Sequence, residues 1–558
     1  MPDTPLNRFA AVQKSRSVIS SEDADDSELL FPMYTVSLDV LLQMKKVRRH
    51  EELLDAGVLI KYRSSLGRAM FISHQWLSDD HPDPDGEQLE VLQAAIGNIL
   101  TGKSSVHVPV ITEMTLGRVP TPTAADLRAQ PLHIWYDYFS CPQGGDLMAK
   151  SRRQAAIDSI VSYISRCEYF VILCPALAHA QQQSMLGEHT WAERGWCRTE
   201  RLARELAARG DGFAFVIQSS THQHLVLNGV RHLDAPGSGQ FTVASDRTKI
   251  GRVILQMVWK KLLYLLEQGD LHNYRFLLNT QARCCFRNLN TAPIESLVPA
   301  FVPRADPCTE PKAFIVEHFL HENGFRTLRE RDHAGWTPLC YAAMSGRPGL
   351  VEALLECKAN CNDKIAKPKL ELGFPKHMNV LSLATHFGNI EPLKALLSAR
   401  ASVGARASIR SIALHWACLS DNVEAFRILR AAGSDVRAAM LPGLDSFGVA
   451  CAGGSCHILQ EFIAQEPRVS LRHCLHYALI VDGASKPALA TLIEARADIN
   501  EQLRLTQVPW RMVFAIYGLK HRVSPSGLTT LAYHHHGATP VMGILNHWLL
   551  TLLAGIAT

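Results

Sequence analysis

Polar side chains gather in two segments that follow predicted strands of this chain. The first, HQWLSDDHPDPDGEQ at 74–88, follows the apolar run AMFISH, and the second, YDYFSCPQGG at 136–145, follows the start of LHIWYDYF. Loops at the carboxyl ends of parallel strands form ligand crevices. We therefore expect His74, Trp76 and Asp137 at the rim of such a crevice, where they would bind a cofactor or substrate.

A metal site and two kinds of enzyme are alternatives for these segments. His74, His81, Asp83 and Cys141 are zinc-ligand types, but no pair with zinc-like spacing is matched by a second pair. The sequence therefore predicts no metal and no resident cofactor. No GxSxG elbow precedes a helix, which disfavours a Ser-His-Asp hydrolase. Neither GxGxxG nor GxxxxGK[ST] follows a strand, which disfavours a Rossmann or P-loop enzyme.

A carboxylate on a predicted helix is the third chemical feature. Glu200 lies in RGWCRTERLARELAA at 194–208, and Trp196 lies one helical turn earlier on the same face. A carboxylate can stabilise the oxocarbenium-like cation that forms when a glycosidic bond breaks, and an indole can pack against a nucleotide. The alternative is that Glu200 is a solvated helix charge and that Trp196 is part of the core.

The elements that must position these residues predict an α/β domain over 67–220. Four apolar strands, AMFISH, LHIWYDYF, CEYFVILCP and GFAFVIQ, alternate with helices, and a Pro/Thr-rich loop interrupts them near 104–130. This rhythm is typical of a mostly parallel sheet, as in flavodoxin-like folds.

The order of these motifs resembles a TIR domain. The resemblance rests on FISH followed by a helix, WYDYF, AIDSIVSYISRCEYFVILCP and GWCRTERLAREL. In catalytic TIR members, the glutamate of the last helix helps to cleave the nicotinamide–ribose bond of NAD, and this role would fall to Glu200. Many TIR domains are instead assembly modules without enzymatic activity. The chain departs from the family pattern at 74–88 and at the 104–130 insertion, so the resemblance leaves both roles open.

The C-terminal half carries a repeat of fixed period. Leu381 and Leu414 stand 33 residues apart, and VLSLATHFGNIEPLKALLSARASV aligns without a gap on the segment that begins IALHWACLSDNVEAF. A period of 33 residues is the ankyrin value. Stacked repeats of this kind bury their core between neighbours and leave a long concave face for binding.

The segment DHAGWTPLCYAAMSGRPGLVEALLECKANCN resembles the ankyrin consensus closely. This resemblance implies an all-α ankyrin solenoid over 313–558, with about five repeats and a partial last one. The nine extra residues before the second unit fall in KIAKPKLELGFPKH, a loop that would project from the binding edge. The repeat-signature residues are Gly335, Thr337, Pro338, Leu339, Gly346, Leu381, Gly388, Leu414 and His415, the last as a structural hydrogen-bonding residue.

The remaining chain is divided by composition. Residues 1–30 are predicted as a disordered arm, 31–66 as a helical segment, and 221–312 as a connector with a long helix at about 248–283. The C-terminal VMGILNHWLLTLLAGIAT is interrupted by Asn546 and His547, which favours a partial repeat; a membrane tail or a truncated gene model are the alternatives.

The totals indicate a multidomain intracellular protein, most simply a cytoplasmic one. A length of 558 residues exceeds one core, and a formal charge of +4 implies neither nucleic acid nor acidic lipid as a partner. The 14 cysteines, without a CxxC pair, are expected to be reduced.

Two functions remain open from the sequence. The first is a protein–protein interaction or signalling scaffold, in which the array binds a protein partner through its concave face and the TIR-like domain docks or self-associates. The alternative is an NAD glycohydrolase that uses Glu200, with NAD as substrate and the array as a targeting arm.

Overall fold

A computed structural model describes the chain in segments, and every structural statement below concerns them. They are residues 4–17, 29–207, 212–227, 235–243, 245–441, 443–466, 469–480, 485–504, 508–524, 526–534 and 537–542. The predicted apolar C-terminal segment lies outside the described residues from 543 onward.

The described strands form one large sheet and one small hairpin. They are β1 (Tyr34–Ser37), β2 (Ile60–Lys61), β3 (Arg68–His74), β4 (Val106–His107), β5 (Leu132–Tyr136), β6 (Tyr169–Leu173), β7 (Leu177–Ala178), β8 (Met185–Leu186), β9 (Phe213–Ile217) and β10 (Gln223–Val226). Eight of them form a sheet in the order β2-β1-β5-β3-β6-β9-β10-β4, and β7 pairs with β8.

The four strands predicted from the sequence lie side by side at the centre of the large sheet. Strands β5, β3, β6 and β9 run parallel, whereas β1, β2 and β10 pair antiparallel, so the sheet as a whole is mixed. Nearly every side chain of β3, β5 and β6 is buried, as expected for strands covered on both faces. The first of the parallel strands, β3, lies between the second and the third, which creates a crevice at its carboxyl end.

The first helices surround this sheet. They are α1 (Pro5–Ser17), α2 (Leu38–Gln43), α3 (His50–Asp55), α4 (Glu87–Thr101), α5 (Val110–Leu116), α6 (Ala124–Arg128), α7 (Asp137–Ser140), α8 (Leu147–Arg166), α9 (Glu188–Glu193) and α10 (Gly195–Leu206).

The N-terminal segments differ from their sequence-based prediction. The expected disordered arm contains α1, because Leu6 and Ala10, one turn apart, are buried. The expected helical segment at 31–66 contains β1 and β2, and β1 pairs with β5 at Val36 and Ile134. The β-branched run at the start of this segment favours a strand, and the edge of β5 provides its hydrogen-bonding partner.

Further helices follow the sheet, from the connector onward. Among the described residues they are α11 (Asp246–Glu267), α12 (Leu271–Cys284), α13 (Pro311–Asn323), α14 (Pro338–Ser345), α15 (Leu350–Glu356), α16 (Val380–His386), α17 (Ile390–Ser398), α18 (Ala413–Leu419), α19 (Val423–Ala431), α20 (Ser446–Gly453), α21 (Cys456–Gln465), α22 (Cys474–Ile480), α23 (Lys486–Glu494), α24 (Val508–His521) and α25 (Gly527–His534).

The connector contains two helices, α11 and α12, where the sequence predicts one. Gly269 takes a positive φ of 70° between α11 and α12, and Asp270 caps α12 through the Asn273 amide. These two residues end one helix and start the next.

The helices from α12 onward stack in two rows. In one row α12, α14, α16, α18, α20 and α22 contact each other in succession, and in the other α13, α15, α17, α19, α21 and α23 do the same. The stack therefore includes α12 and begins before residue 313, where the array was expected to start. Two further helices, α24 and α25, follow these rows and contact each other.

The C-terminal end of the helix stack, at α25, lies against the sheet-containing part of the molecule. Helix α5, which belongs to the 104–130 insertion, contacts both α25 and the 3-10 turn Leu370–Leu372. The Leu528 amide of α25 donates to Glu113 Oε2 at 3.0 Å, and Arg118 donates to the Ser524 carbonyl at 3.0 Å. The insertion thus joins the two halves of the molecule.

The described residues bear on two expectations from composition, the reduced state of the cysteines and the lack of a membrane-spanning helix. All 14 cysteines are free thiols and most of them are buried. Over the described part of the chain, no helix combines the length and the apolar character needed to cross a membrane.

Candidate functional site

The candidate site lies at the carboxyl ends of β3 and β5. The two strands are parallel neighbours, with Ile72 opposite Tyr136, so the residues that follow them reach the same edge of the sheet. His74 Nε2 lies 2.9 Å from Asp137 Oδ1, and the Trp76 indole donates to Asp137 Oδ2 at 2.9 Å. The structure therefore brings together the three residues that the sequence analysis placed at a crevice rim.

Asp137 is held as a carboxylate. Burial raises the pKa of its carboxyl group, but the neighbouring His74 and the hydrogen bonds from His74 and Trp76 outweigh this effect and lower the pKa below its usual value. The Asp137 side chain keeps 36% of its surface exposed, so this end of the sheet is open to solvent. Tyr136 stacks on the His74 ring at a centroid distance of 4.0 Å and fixes its plane.

Glu200 reaches the same crevice from α10. The Ser73 hydroxyl donates to Glu200 Oε2 at 2.5 Å, and the Trp191 indole donates to Ser73 Oγ at 3.0 Å. Burial is the main reason that the Glu200 pKa is raised to about 7, and the charge of Asp137 adds to it, while the Ser73 hydrogen bond opposes it. The Glu200 side chain is thus a partly buried carboxyl group that gains or loses a proton near neutral pH.

The two carboxyl groups are suited to different roles. Asp137 is ionised across the neutral range, whereas Glu200 is divided between its acid and its carboxylate forms. Environments that separate the pKa values of neighbouring carboxyl groups are typical of acid–base sites. The arrangement can accept a proton at Glu200 and can stabilise positive charge that develops between the two groups.

The loop after β3 forms a wall of this crevice. Asp83 is fully buried and caps α4, accepting from the amides of Gln88 and Leu89. Gln88 donates to the Gln75 carbonyl at 2.8 Å, and the Gln75 side chain donates to Thr190 Oγ1 in α9 at 3.0 Å. The loop is therefore hydrogen-bonded to both α4 and α9.

Trp196 does not join this cluster. Its indole donates to Asp246 Oδ2 at 3.0 Å, at the start of α11, and its ring packs against the core. The Cβ that a residue larger than Gly195 would add lies 2.0 Å from the Phe241 ring, so α10 begins tightly against the connector. The packing of Trp196 against a nucleotide is not supported by this position, and Trp191 is the indole that lies beside Ser73.

Sequence reasoning missed Ser73, Trp191 and Tyr136. Ser73 sits inside the apolar strand AMFISH, where a polar side chain one place before the end is a usable signal. Trp191 lies in a segment without clear periodicity, so no local pattern marks it. The other residues considered for metal have structural roles: Asp83 caps a helix, and burial raises the pKa of the Cys141 thiol well above its usual range.

The repeat-signature residues occupy turns and buried positions. Gly335, Gly346 and Gly388 take positive φ values, and a Cβ at Gly335 would lie 2.4 Å from Ala366. Leu339, Leu381 and Leu414 are buried, and Pro338 is the first residue of α14. These positions fit helix pairs separated by tight turns.

The two polar residues of the repeat signature, His415 and Thr337, differ from each other in their hydrogen bonds. His415 accepts from the Ile412 amide and lies 2.8 Å from the Ala438 carbonyl, so it links its own helix start to the next turn, as expected of a structural residue. The Thr337 hydroxyl makes no capping hydrogen bond to the α14 backbone; it lies 3.4 Å from Cys340 Sγ instead.

Comparison with known families gives one match. The ankyrin-repeat model matches residues 334–365, which cover α14, α15 and the turns on either side. No curated protein matches the chain. Ankyrin repeats generally bind protein partners, so the match supports a role in protein–protein interaction, and it does not extend to the sheet-containing part.

Proposed function

We propose that the stacked helices bind an acidic protein partner along the turns between helix pairs. The observation that carries this proposal is the ankyrin match at 334–365 within two continuous rows of helices. Such stacks recognise partners through the turns and the first helices that face one side.

The turns form a continuous edge. The Ser408 amide donates to the Lys376 carbonyl at 2.8 Å, and the Leu441 amide donates to the Ile409 carbonyl at 2.8 Å. These bonds join three successive turns. Basic side chains are exposed along this edge, namely Lys367, Lys376, Arg406, Arg410 and Arg437. Opposite charge on the partner would steer association and fix its register.

Charge reversal tests this proposal. Arg406→Glu combined with Arg410→Glu is compared with Lys394→Glu, which reverses an exposed charge on α17 away from the turns. Photo-crosslinkers at residue 376 would capture the partner in cell extract. We expect the double variant to lose the captured protein and Lys394→Glu to retain it. Capture that is unaffected by the double variant would contradict the proposal. Self-association of the α/β part stays a prediction, which light scattering on the full chain tests.

We propose, as a second function, that the α/β part cleaves the nicotinamide–ribose bond of NAD. The observation that favours it is Glu200, hydrogen-bonded at the carboxyl end of β3 near the ionised Asp137. In this reaction the C1′–N bond breaks, and nicotinamide leaves with the bonding electrons. The Glu200 carboxylate stabilises the ribosyl cation. Water then adds to C1′ and gives its proton to Glu200, so the products are ADP-ribose, nicotinamide and one proton.

The resemblance in motif order to TIR domains supports the same role for Glu200. Free nicotinamide released from NAD would be measured for the wild-type protein, Glu200→Gln and the control Glu193→Gln. We expect release by the wild type and the control alone. Absence of release by the wild type, or equal release by Glu200→Gln, would reject the activity and leave the binding proposal intact.

A further inference from the structure

Three histidine side chains converge at the far edge of the large sheet. Strand β4 pairs in parallel with β10, and His107 lies opposite His224 in that register. His222 lies two residues before His224, so its side chain points to the same face. The ring centroids of His107 and His222 are 4.6 Å apart, and both lie about 6 Å from that of His224, at 6.0 and 6.1 Å.

The nitrogen atoms of these rings are close enough to share an ion. One ring nitrogen from each residue lies within 4.8 Å of the other two, and the described part of the chain offers this group alone among candidate metal-binding clusters. In a tetrahedral zinc site with bonds of about 2.0 Å, neighbouring ligand nitrogens are about 3.3 Å apart. Small side-chain rotations would close the remaining gap, and both His107 and His222 are only partly buried.

The carboxylate of Glu188 lies beside His224, in the position of a group that orients a metal-binding histidine. His224 Nε2 is 3.4 Å from Glu188 Oε1, and Gln218 donates to Glu188 Oε2 at 2.6 Å. Metal-binding histidines usually donate their second ring N–H to a carboxylate, which fixes the ring and selects the nitrogen that binds the ion. This contact leaves Nδ1 of His224 as the ligand atom.

We propose that His107, His222 and His224 bind one divalent transition-metal ion of the zinc class. Imidazole nitrogens suit zinc, nickel, copper and cobalt, and three of them leave a fourth position for water or a substrate atom. The site is separate from the Glu200 crevice. It would join β4 to β10 across the sheet edge and hold the start of α5, which begins three residues after His107.

Metal titration of the full chain tests this site. The protein is freed of metal with a chelator, and Zn²⁺ binding is followed by calorimetry. We expect one equivalent to bind, and binding to be at least 100-fold weaker in His224→Ala. Glu188→Gln, which keeps all three imidazoles, should weaken binding by about tenfold to 100-fold. His189→Ala is the matched control, since this exposed histidine lies next to Glu188 and outside the cluster.

Co²⁺ distinguishes this site from one made by the free thiols. Cobalt bound by imidazole gives visible absorption without a thiolate charge-transfer band in the near ultraviolet. Wild-type protein should show the visible bands, and His107→Ala should lose them. A thiolate band, or binding of equal strength in wild type, His224→Ala and Glu188→Gln, would overturn the proposal. The Glu188→Gln comparison decides the question even if the histidine variants fold poorly.

Discussion

Replacement of Glu200 by glutamine should stabilise the protein at alkaline pH. The folded-state pKa of about 7, against an ordinary value of 4.5, corresponds to about 3 kcal/mol at roughly 1.4 kcal/mol for each pKa unit. Because Glu200 is partly exposed, this figure is an upper bound. Glutamine keeps an oxygen that accepts from Ser73 and removes the charge that is costly to bury.

The sign follows from proton linkage. Below pH 4.5 the carboxyl group is protonated in both the folded and the unfolded protein, and its full contribution to stability is present. As the pH rises through about 7, the folded protein must ionise a partly buried group, and that contribution is lost. The free energy of unfolding of the wild type should therefore fall relative to that of Glu200→Gln, by up to about 3 kcal/mol above pH 8.

Hydrogen exchange of α10 is the appropriate assay, because a chain with several parts does not unfold in one step. Amide protection of peptides from 195–206 is measured by mass spectrometry between pH 4.5 and 8.5, corrected for the intrinsic exchange rates. The exposed Glu193→Gln serves as control and should follow the wild type. Equal protection of wild type and Glu200→Gln at every pH, or lower protection of the variant at high pH, would refute the reasoning.

Three further predictions test other parts of the molecule. If the NAD cleavage proposal holds, kcat/KM should rise with pH through about 7, since the carboxylate of Glu200 is the active form, and a flat profile would contradict this. Asp332→Asn should lower the amide protection of α12 by about 2–3 kcal/mol in hydrogen exchange at neutral pH, because His272 and Arg275 of that helix lose a partner whose side chain is fully buried. The pKa of Asp332 is lowered to about 2, so in the wild type this contribution is present above pH 3.8 and is lost as the pH falls through about 2. Glu113→Ala should raise hydrogen exchange in α25, whose Leu528 amide loses its acceptor, and unchanged exchange there would show that α5 does not hold the end of the stack.

The sequence predicted the parts of this fold that depend on local pattern. Continuous apolar runs marked β3, β5, β6 and β9, and the 33-residue register of Leu381 and Leu414 marked successive helix pairs, because both patterns arise from which side chains are buried. Strand β4 has two residues and gains its hydrogen bonds from a distant neighbour, so no local pattern identifies it. The position of α1 was not predictable either, because its burial depends on contacts with α11 and α13.

The residues of the candidate site also divide into those that local sequence patterns predict and those that depend on distant contacts. The proximity of His74, Trp76 and Asp137 was predictable because they lie at or just after the carboxyl ends of apolar runs that were expected to form parallel strands. Ser73 and Trp191 were not, because their importance lies in a hydrogen-bond chain that joins residues 73, 191 and 200 across three elements. The three histidines were missed for a related reason, since β4 meets β10 only after a long chain crossing.

The 104–130 insertion links the sheet to the stack of helices. Its strand β4 extends the sheet at β10, and its helix α5 contacts α25 and the turn at Leu370–Leu372. In β10, His224 approaches Glu188 of α9, the helix whose Trp191 contacts Ser73 beside Glu200. A segment that first looked like a departure from a TIR pattern is therefore the structural bridge between the proposed binding edge and the proposed carboxylate site. We expect a partner that displaces α5 from the turn at Leu370–Leu372 to disturb β4 as well, because α5 begins three residues after that strand ends.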